Sequence, residues 1–295
     1  MYPRWLWQAL AAPGILWLIL LFVLPFYAVL GVAFGEIEPI LRMPLPIWNP
    51  LEWNYASAWE ILQRFAPGSS YWGVFRRTVM YVGIAVAISL LIAYPVAYYI
   101  TRHAKRTKIL LLVLLVLPFW VSYLMRMLAW VGLLAHDGYV NSILMWTGLN
   151  PTPPNWLDGN AGSVIFALVY GYIPYMILPL VASLDRIDGR LIEAARDLGL
   201  TATQAFWRVT LPLSKPGILA GCVIIALPMF GDYYTPDIIS GSASTSMIGN
   251  QIYLYFHGGP QPNVGAMMTL LLSLFLAVLM IYYMYSVAKA QKDIQ

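Results

Sequence analysis

An all-α membrane protein with about six transmembrane helices is the fold this 295-residue chain predicts. Three observations carry that expectation. Hydrophobic residues form 60% of the sequence and charged residues 10%, with a mean hydropathy of +0.70, a composition too apolar for a water-soluble domain. Apolar runs of roughly the 20 residues needed to cross a bilayer recur six times. Lysine and arginine collect in alternate connections between those runs. The net charge of +4 and pI near 9.0 therefore reflect membrane topology, and no nucleic-acid partner is expected. Cys222 is the single cysteine, which excludes an internal disulfide, and the chain lacks the Cys and His spacing of a structural zinc site.

The first run, Ala9 to Phe34, is longer than a signal-peptide core and ends in VAFGE without a small-x-small cleavage pattern, so it reads as a retained anchor. The others are Thr78 to Ile100, Ile109 to Ala135, Ser163 to Leu184, Gly217 to Ile239 and Val264 to Val287. Residues 1–71 are expected to form the anchor and first outer loop, and 72–290 the transmembrane core. Residues 185–216 form a polar loop within that core, and 291–295 a cytoplasmic tail. Twelve of the seventeen basic residues fall on one side: Arg4, then Arg102, Lys105, Arg106 and Lys108, then Arg186, Arg190, Arg196, Arg208 and Lys215, then Lys289 and Lys292. Both termini are accordingly expected in the cytoplasm. Arg76 and Arg77 lie on the opposite side and are expected to snorkel towards headgroups.

Prolines interrupt the runs at Pro25, Pro95, Pro118, Pro174, Pro179 and Pro228, each removing a backbone donor. Proline is common in membrane helices, yet the set favours a polytopic bundle whose kinks line a cavity.

The segment LDRIDGRLIEAARDLGLTATQAFWRVTLPLSKPG differs from its surroundings. Asp188 is placed to cap a first helix, on which Leu191, Ala194, Ala195 and Leu198 share one face. Gly199 ends it, Thr201 and Gln204 have capping-box spacing for a second short helix, and Pro212 is expected to stop that one. Periodicity alone also allows an amphipathic helix resting on lipid headgroups. The residue pattern is more specific than the periodicity. Glu193-Ala194-Ala195, three residues, Gly199, nine residues, then Val209-x-Leu211-Pro212 resembles the EAA loop of ATP-binding-cassette (ABC) importer permeases, with Val209 where the pattern has isoleucine.

The resemblance covers most of the chain and is closest to permeases of spermidine/putrescine importers. It is carried also by LPFWVSYLMRMLAW, DGYVN, LVYGYIPYMILPL and LPLSKPGILAGC with LPMFGDYYTPDIISG. It implies an ABC importer type I permease fold with a cytoplasmic EAA coupling loop, in the bacterial cytoplasmic (inner) membrane. Glu193, Ala194, Ala195, Asp197, Gly199, Leu211 and Pro212 would couple the spans to ATPases. The implied partners are two ABC ATPase subunits, a second homologous permease, an extracytoplasmic solute-binding protein and membrane lipid. ATP and magnesium belong to the ATPases: this chain has no Gly-Lys-Ser/Thr phosphate loop, and no cofactor, metal site or catalytic residue is expected in it.

Asp232 and Asp237, in GDYYTPD, are the carboxylates nearest a span interior. An ionised carboxylate there is costly and is usually directed to a cavity or partner. With Tyr233 and Tyr234 it would attract a polyammonium solute through charge and ring faces. The alternative places both acids in water at the outer interface. Arg126 is expected to pair with a neighbouring subunit, face a polar vestibule or snorkel. Tyr123, Trp120, Trp130, Tyr170, Tyr172 and Tyr175 read first as packing or interfacial aromatics. Permeases for sulfate, molybdate or ferric ion, and a secondary transporter, are the competing functions. A haem-bearing subunit is disfavoured because His103, His136 and His257 all lie in connections.

Overall fold

The structure is a computed structural model that describes residues 4–40, 43–69, 71–104, 106–148, 152–258 and 261–292. Arg42, Lys105 and the end of the tail fall outside the described residues. Helices α1 Arg4–Leu18 and α2 Leu24–Ala33 are joined by a π-helical turn, Ile19–Val23, immediately before Pro25. They are followed by α3 Tyr55–Gln63, α4 Trp72–Arg102, α5 Lys108–Val116, α6 Tyr123–Leu134, α7 Tyr139–Trp146 and α8 Ala161–Asp185. Then come α9 Gly189–Asp197, α10 Ala202–Ala205, α11 Leu211–Leu213, α12 Lys215–Phe230, α13 Tyr234–Ile239, α14 Ile248–His257 and α15 Pro262–Lys292.

Among the described residues, four stretches are long and apolar enough to cross a membrane unbroken: Ala9–Ala33, Trp72–Arg102, Ala161–Asp185 and Pro262–Ala288. Two further bent helix pairs pass the same test together, each a broken span or a re-entrant segment. Lys108–Trp120 and Tyr123–Trp146 meet at 84°, and Ala202–Leu213 and Lys215–Phe230 at 60°. The third expected run is therefore not one helix. A 3-10 turn, Leu117–Trp120, absorbs Pro118, and Val121 is extended (φ −77°, ψ 137°). The fifth expected run is also interrupted: α12 stops at Phe230, Gly231 to Tyr233 break it, and α13 starts afresh. At about 1.5 Å per residue α12 is roughly 24 Å long, short of the roughly 30 Å hydrocarbon core. The outer connections, expected as loops, contain α3, α7 and α14. Asn54 caps α3 by accepting a hydrogen bond from Ser57 N at 3.0 Å.

By contacts the chain divides into two units, 1–73 with 251–275, and 74–250 with 276–295. Residues 251–275, assigned by sequence to the permease core, thus pack with the N-terminal segment. The first unit has its own core, in which Ala33, Ala58 and Ile61 meet Val264, Ala266, Met267 and Met268. Phe34 stacks on Trp53 with ring centroids 4.6 Å apart, beside a small antiparallel pair, β1 Glu36–Ile37 and β2 Pro44–Leu45. Leu16, Phe22 and most of their neighbours on the first crossing are exposed, a surface that only lipid or a membrane partner covers without cost.

In the second unit α8 packs closely on α12, as small residues allow in membranes. A Cβ at Gly217 would lie 2.3 Å from Ser183 Cβ, and one at Gly221 3.3 Å from Met176 O. Asn141, fully buried, organises the connection after α6. Its amide donates to Ala135 O, His136 O and Pro154 O at 3.1, 3.2 and 3.3 Å, and its oxygen accepts from Trp156 Nε1 at 2.8 Å.

Candidate functional site

The polar loop folds as a helical hairpin. Asp188 accepts from Arg190 N at 3.0 Å and starts α9. Gly199, at φ +91°, ends it with Gly199 N donating to Arg196 O and Leu200 N to Ala195 O, at 2.9 and 3.2 Å. This is the Schellman arrangement, and its left-handed residue favours glycine. Thr201 and Gln204 form the reciprocal capping box of α10 at 3.0 and 3.3 Å. Pro212, expected to stop this helix, does not. A π-helical turn over Phe206–Thr210 leads into α11, where Pro212 occupies a first-turn position that needs no donor, and the helical run continues to Leu213.

On α9 only Ala195 is buried, at 8% exposure; Glu193, Ala194 and Asp197 are exposed, as is Gly199 beyond it. Leu191 and Leu198 are apolar yet 51% and 87% exposed, so the hairpin presents an apolar face uncovered by this chain. Its base is tied to the spans. Arg102 Nη2 donates to Leu184 O and Ile187 O at 3.4 and 3.2 Å, where α8 ends. Lys108 Nζ pairs with Asp185 Oδ2 at 2.5 Å. Tyr94 and Ser214 hydroxyls bond at 2.8 Å, and the rings of Tyr94 and Tyr98 meet Phe206 edge-on.

Away from that base, the break after Trp120 and the one after Phe230 both come against α8 near Gly171 and Tyr172, roughly 20 Å along that helix by helical rise. Asp232 sits in the second break and is 6% exposed, not in water at an interface. Its Oδ2 accepts hydrogen bonds from Tyr123 Oη on α6 at 2.8 Å, Tyr172 Oη on α8 at 3.2 Å and Thr235 Oγ1 on α13 at 2.6 Å. Its Oδ1 accepts from Thr235 N at 3.0 Å at the start of α13; the Tyr123 and Thr235 hydroxyl oxygens also touch, a contact that competes for the same two protons. Tyr233 and Tyr234 flank the cluster along the chain. Their rings lie 3.9 Å apart, Tyr234 is 43% exposed, Tyr233 O accepts from Asn250 Nδ2 at 2.6 Å, and Asp237 is exposed.

Tyr123 and Tyr172, which sequence placed with packing aromatics, are the residues that meet Asp232. Only the breaks offered a hint of this: Tyr123 follows Ser122 at the start of α6. Arg126 is buried behind them and does not snorkel, with its guanidinium carbon 4.1 Å from the Phe119 ring centroid. A cavity of about 460 Å³ opens here between Phe119, Trp120, Tyr123, Arg126, Tyr172 and Tyr175. Arg77 also departs from expectation. Its Nε donates to Ser246 O at 2.8 Å, Nη1 to Ser244 O at 2.5 Å and Nη2 to Ala243 O at 3.3 Å, so loop carbonyls take the place of headgroups. Thr78 Oγ1 beside it accepts from Ile248 N at 2.9 Å.

Broken helices around a cavity, with a helical hairpin at one end, are features found in polytopic membrane transport proteins. Among solved structures, a chain of a bacterial ABC transporter involved in import of the acidic polysaccharide alginate superposes with a TM-score of 0.71. It is 16% identical, with 97% of this chain and 96% of that one covered. The MetNI methionine ABC transporter in an inward-facing conformation gives a TM-score of 0.52 at 19% identity, over 72% and 93% of the two chains. Identities this low speak to fold alone. Residues 85–292 match the family described as binding-protein-dependent transport system inner membrane component, and the chain belongs to that family. It is therefore a multi-pass inner-membrane transport subunit, not an enzyme. The spermidine/putrescine transport system permease protein PotB of Haemophilus influenzae is 35% identical over 267 residues, 90% of this chain and 89% of that protein. PotB of Salmonella typhimurium is 32% identical over 269 residues, 90% and 88%.

Proposed function

We propose that this chain forms half of the translocation pathway of an ATP-driven importer for polyamines, spermidine or putrescine, and couples that pathway to cytoplasmic ATPases. The observation that carries the coupling is the exposed face of the capped α9–α10 hairpin, with Leu191, Ala194 and Leu198 uncovered while its base is held to α4, α5 and α8. Such a face suits insertion into a groove on an ATPase, with Glu193 and Asp197 at its rim, Gly199 as the turn, and Leu211 and Pro212 leading back into the bundle. Two ATPase subunits, holding ATP and magnesium, would each engage one permease. The second permease would be a homologous chain completing the pathway, and an extracytoplasmic binding protein would deliver the solute. Both termini then face the cytoplasm, because the basic connections do.

The polyamine assignment rests on relatives named as spermidine/putrescine permeases over nine tenths of the chain. It is supported by the carboxylate of Asp232 behind an aromatic-lined cavity, chemistry suited to ammonium groups. Exposed Tyr234 and Asp237 remain candidates for an outer approach to that cavity. The test is reconstitution of the chain with its partners in proteoliposomes and measurement of ATP-dependent accumulation of labelled putrescine and spermidine, with sulfate, molybdate and ferric ion as controls. Uptake of an anion instead refutes the substrate. Uptake that survives without ATP but collapses with an ion gradient refutes the importer class.

A further inference from the structure

We infer that Arg126 is a tethered cation occupying an ammonium site, and that a cationic solute must displace it to pass. The inference rests on the polyamine reading for its cargo, but its geometry stands on its own. Arg126 is 8% exposed, and its Nε and Nη1 are buried without a hydrogen-bond partner among the described residues. A buried guanidinium normally finds an oxyanion or carbonyl, because each unmet donor retains its desolvation cost. Here ring faces replace one. The guanidinium carbon is 4.1, 5.5 and 5.8 Å from the centroids of Phe119, Tyr123 and Tyr170. These distances are those of cation–π attraction. The carboxylate of Asp232, on the other side of Tyr123, is already engaged by Tyr123, Tyr172 and Thr235 and so leaves Arg126 to the rings.

The same aromatic wall opens into the cavity of about 460 Å³, a size typical of small-ligand sites. Trp120, 83% exposed, and Tyr175, 47% exposed, offer further ring surface there. An alkylammonium entering this cavity meets the ring faces that now hold Arg126. Two positive charges a few ångströms apart in a poorly hydrated site repel strongly, so both cannot remain. With Nε and Nη1 unbonded, the guanidinium loses no hydrogen bond from those donors when it swings aside. Arg126 thus closes the site to cations at rest and yields to one delivered at high local concentration.

The experiment uses the reconstituted complex without ATP and follows passive entry of labelled putrescine and of choline, a permanently charged ammonium. Arg126→Gln is expected to leak both probes at least about tenfold faster than the unsubstituted complex, while Arg126→Lys, which keeps the charge, restores closure. Phe119→Leu removes the nearest ring and should leak to an intermediate degree; it decides the matter if Arg126→Gln does not assemble. Arg126→Gln, or in its absence Phe119→Leu, as tight to both probes as the unsubstituted complex overturns the inference. That result alongside normal ATP-driven putrescine uptake sinks the plug alone. An unsubstituted complex that accumulates another solute instead sinks the polyamine reading, and choline entry still decides the plug.

Discussion

Replacing Asp232 with asparagine separates a structural carboxylate from a purely cargo-binding one. Three hydroxyls converge on Oδ2 and one backbone amide on Oδ1, joining α6, α8 and α13. Asparagine keeps one acceptor oxygen. If that oxygen faces the hydroxyls, its NH2 confronts Thr235 N, leaving a buried donor unmet at a cost of about 1–3 kcal/mol. The hydroxyls then bond a neutral oxygen, losing about 1 kcal/mol each relative to a charged acceptor. If the amide is turned round, some hydroxyls rotate to accept and the rest lose a partner. Removal of a buried charge offsets part of this, leaving a net loss of about 2–4 kcal/mol. The assay is denaturant or thermal unfolding of the purified complex in nanodiscs, with uptake measured in parallel. Tyr123→Phe alone should cost about 1–2 kcal/mol, and the double variant less than the sum, since the two share one hydrogen bond. An unchanged unfolding midpoint for Asp232→Asn, with uptake abolished, would falsify the scaffold reasoning and return Asp232 to direct contact with cargo.

Gly217→Val should separate α8 from α12, because even its Cβ would lie 2.3 Å from Ser183 Cβ and 3.0 Å from Pro179 O. A loss of at least about 1–3 kcal/mol is expected, read as a poorly monodisperse complex in detergent. Gly199→Val puts a β-branched residue at φ +91° and should disorder the hairpin turn, lowering binding-protein-stimulated ATP hydrolysis for every cargo. Glu193→Ala, which removes one exposed rim charge, should lower it less. Arg77→Ala strips donors from three loop carbonyls and should raise hydrogen exchange across residues 243–248, with unfolding of the bundle little changed.

The hairpin shows why some of this molecule was legible in one dimension. Asp188, Gly199, Thr201 and Gln204 act on partners within a few residues, so spacing alone places their bonds. Pro212 is harder to place from spacing, because it sits in a first-turn position after a π-helical turn, one residue before the helical run ends at Leu213. Arg77 looked like a headgroup ligand only until residues 166 to 169 positions away supplied carbonyls.

Composition and apolar run length by themselves determined that the chain lives in a membrane and about how many helices are long enough to cross it. These follow from transfer free energies that add residue by residue. Tertiary structure alone decided that two apolar runs break, and that Tyr123 and Tyr172, 109 and 60 positions from Asp232, share its carboxylate. It also decided that Arg126 rests on rings instead of an oxyanion. Hydrogen bonds and ring contacts act over a few ångströms, so their partners are set by the path of the folded chain and not by distance along it.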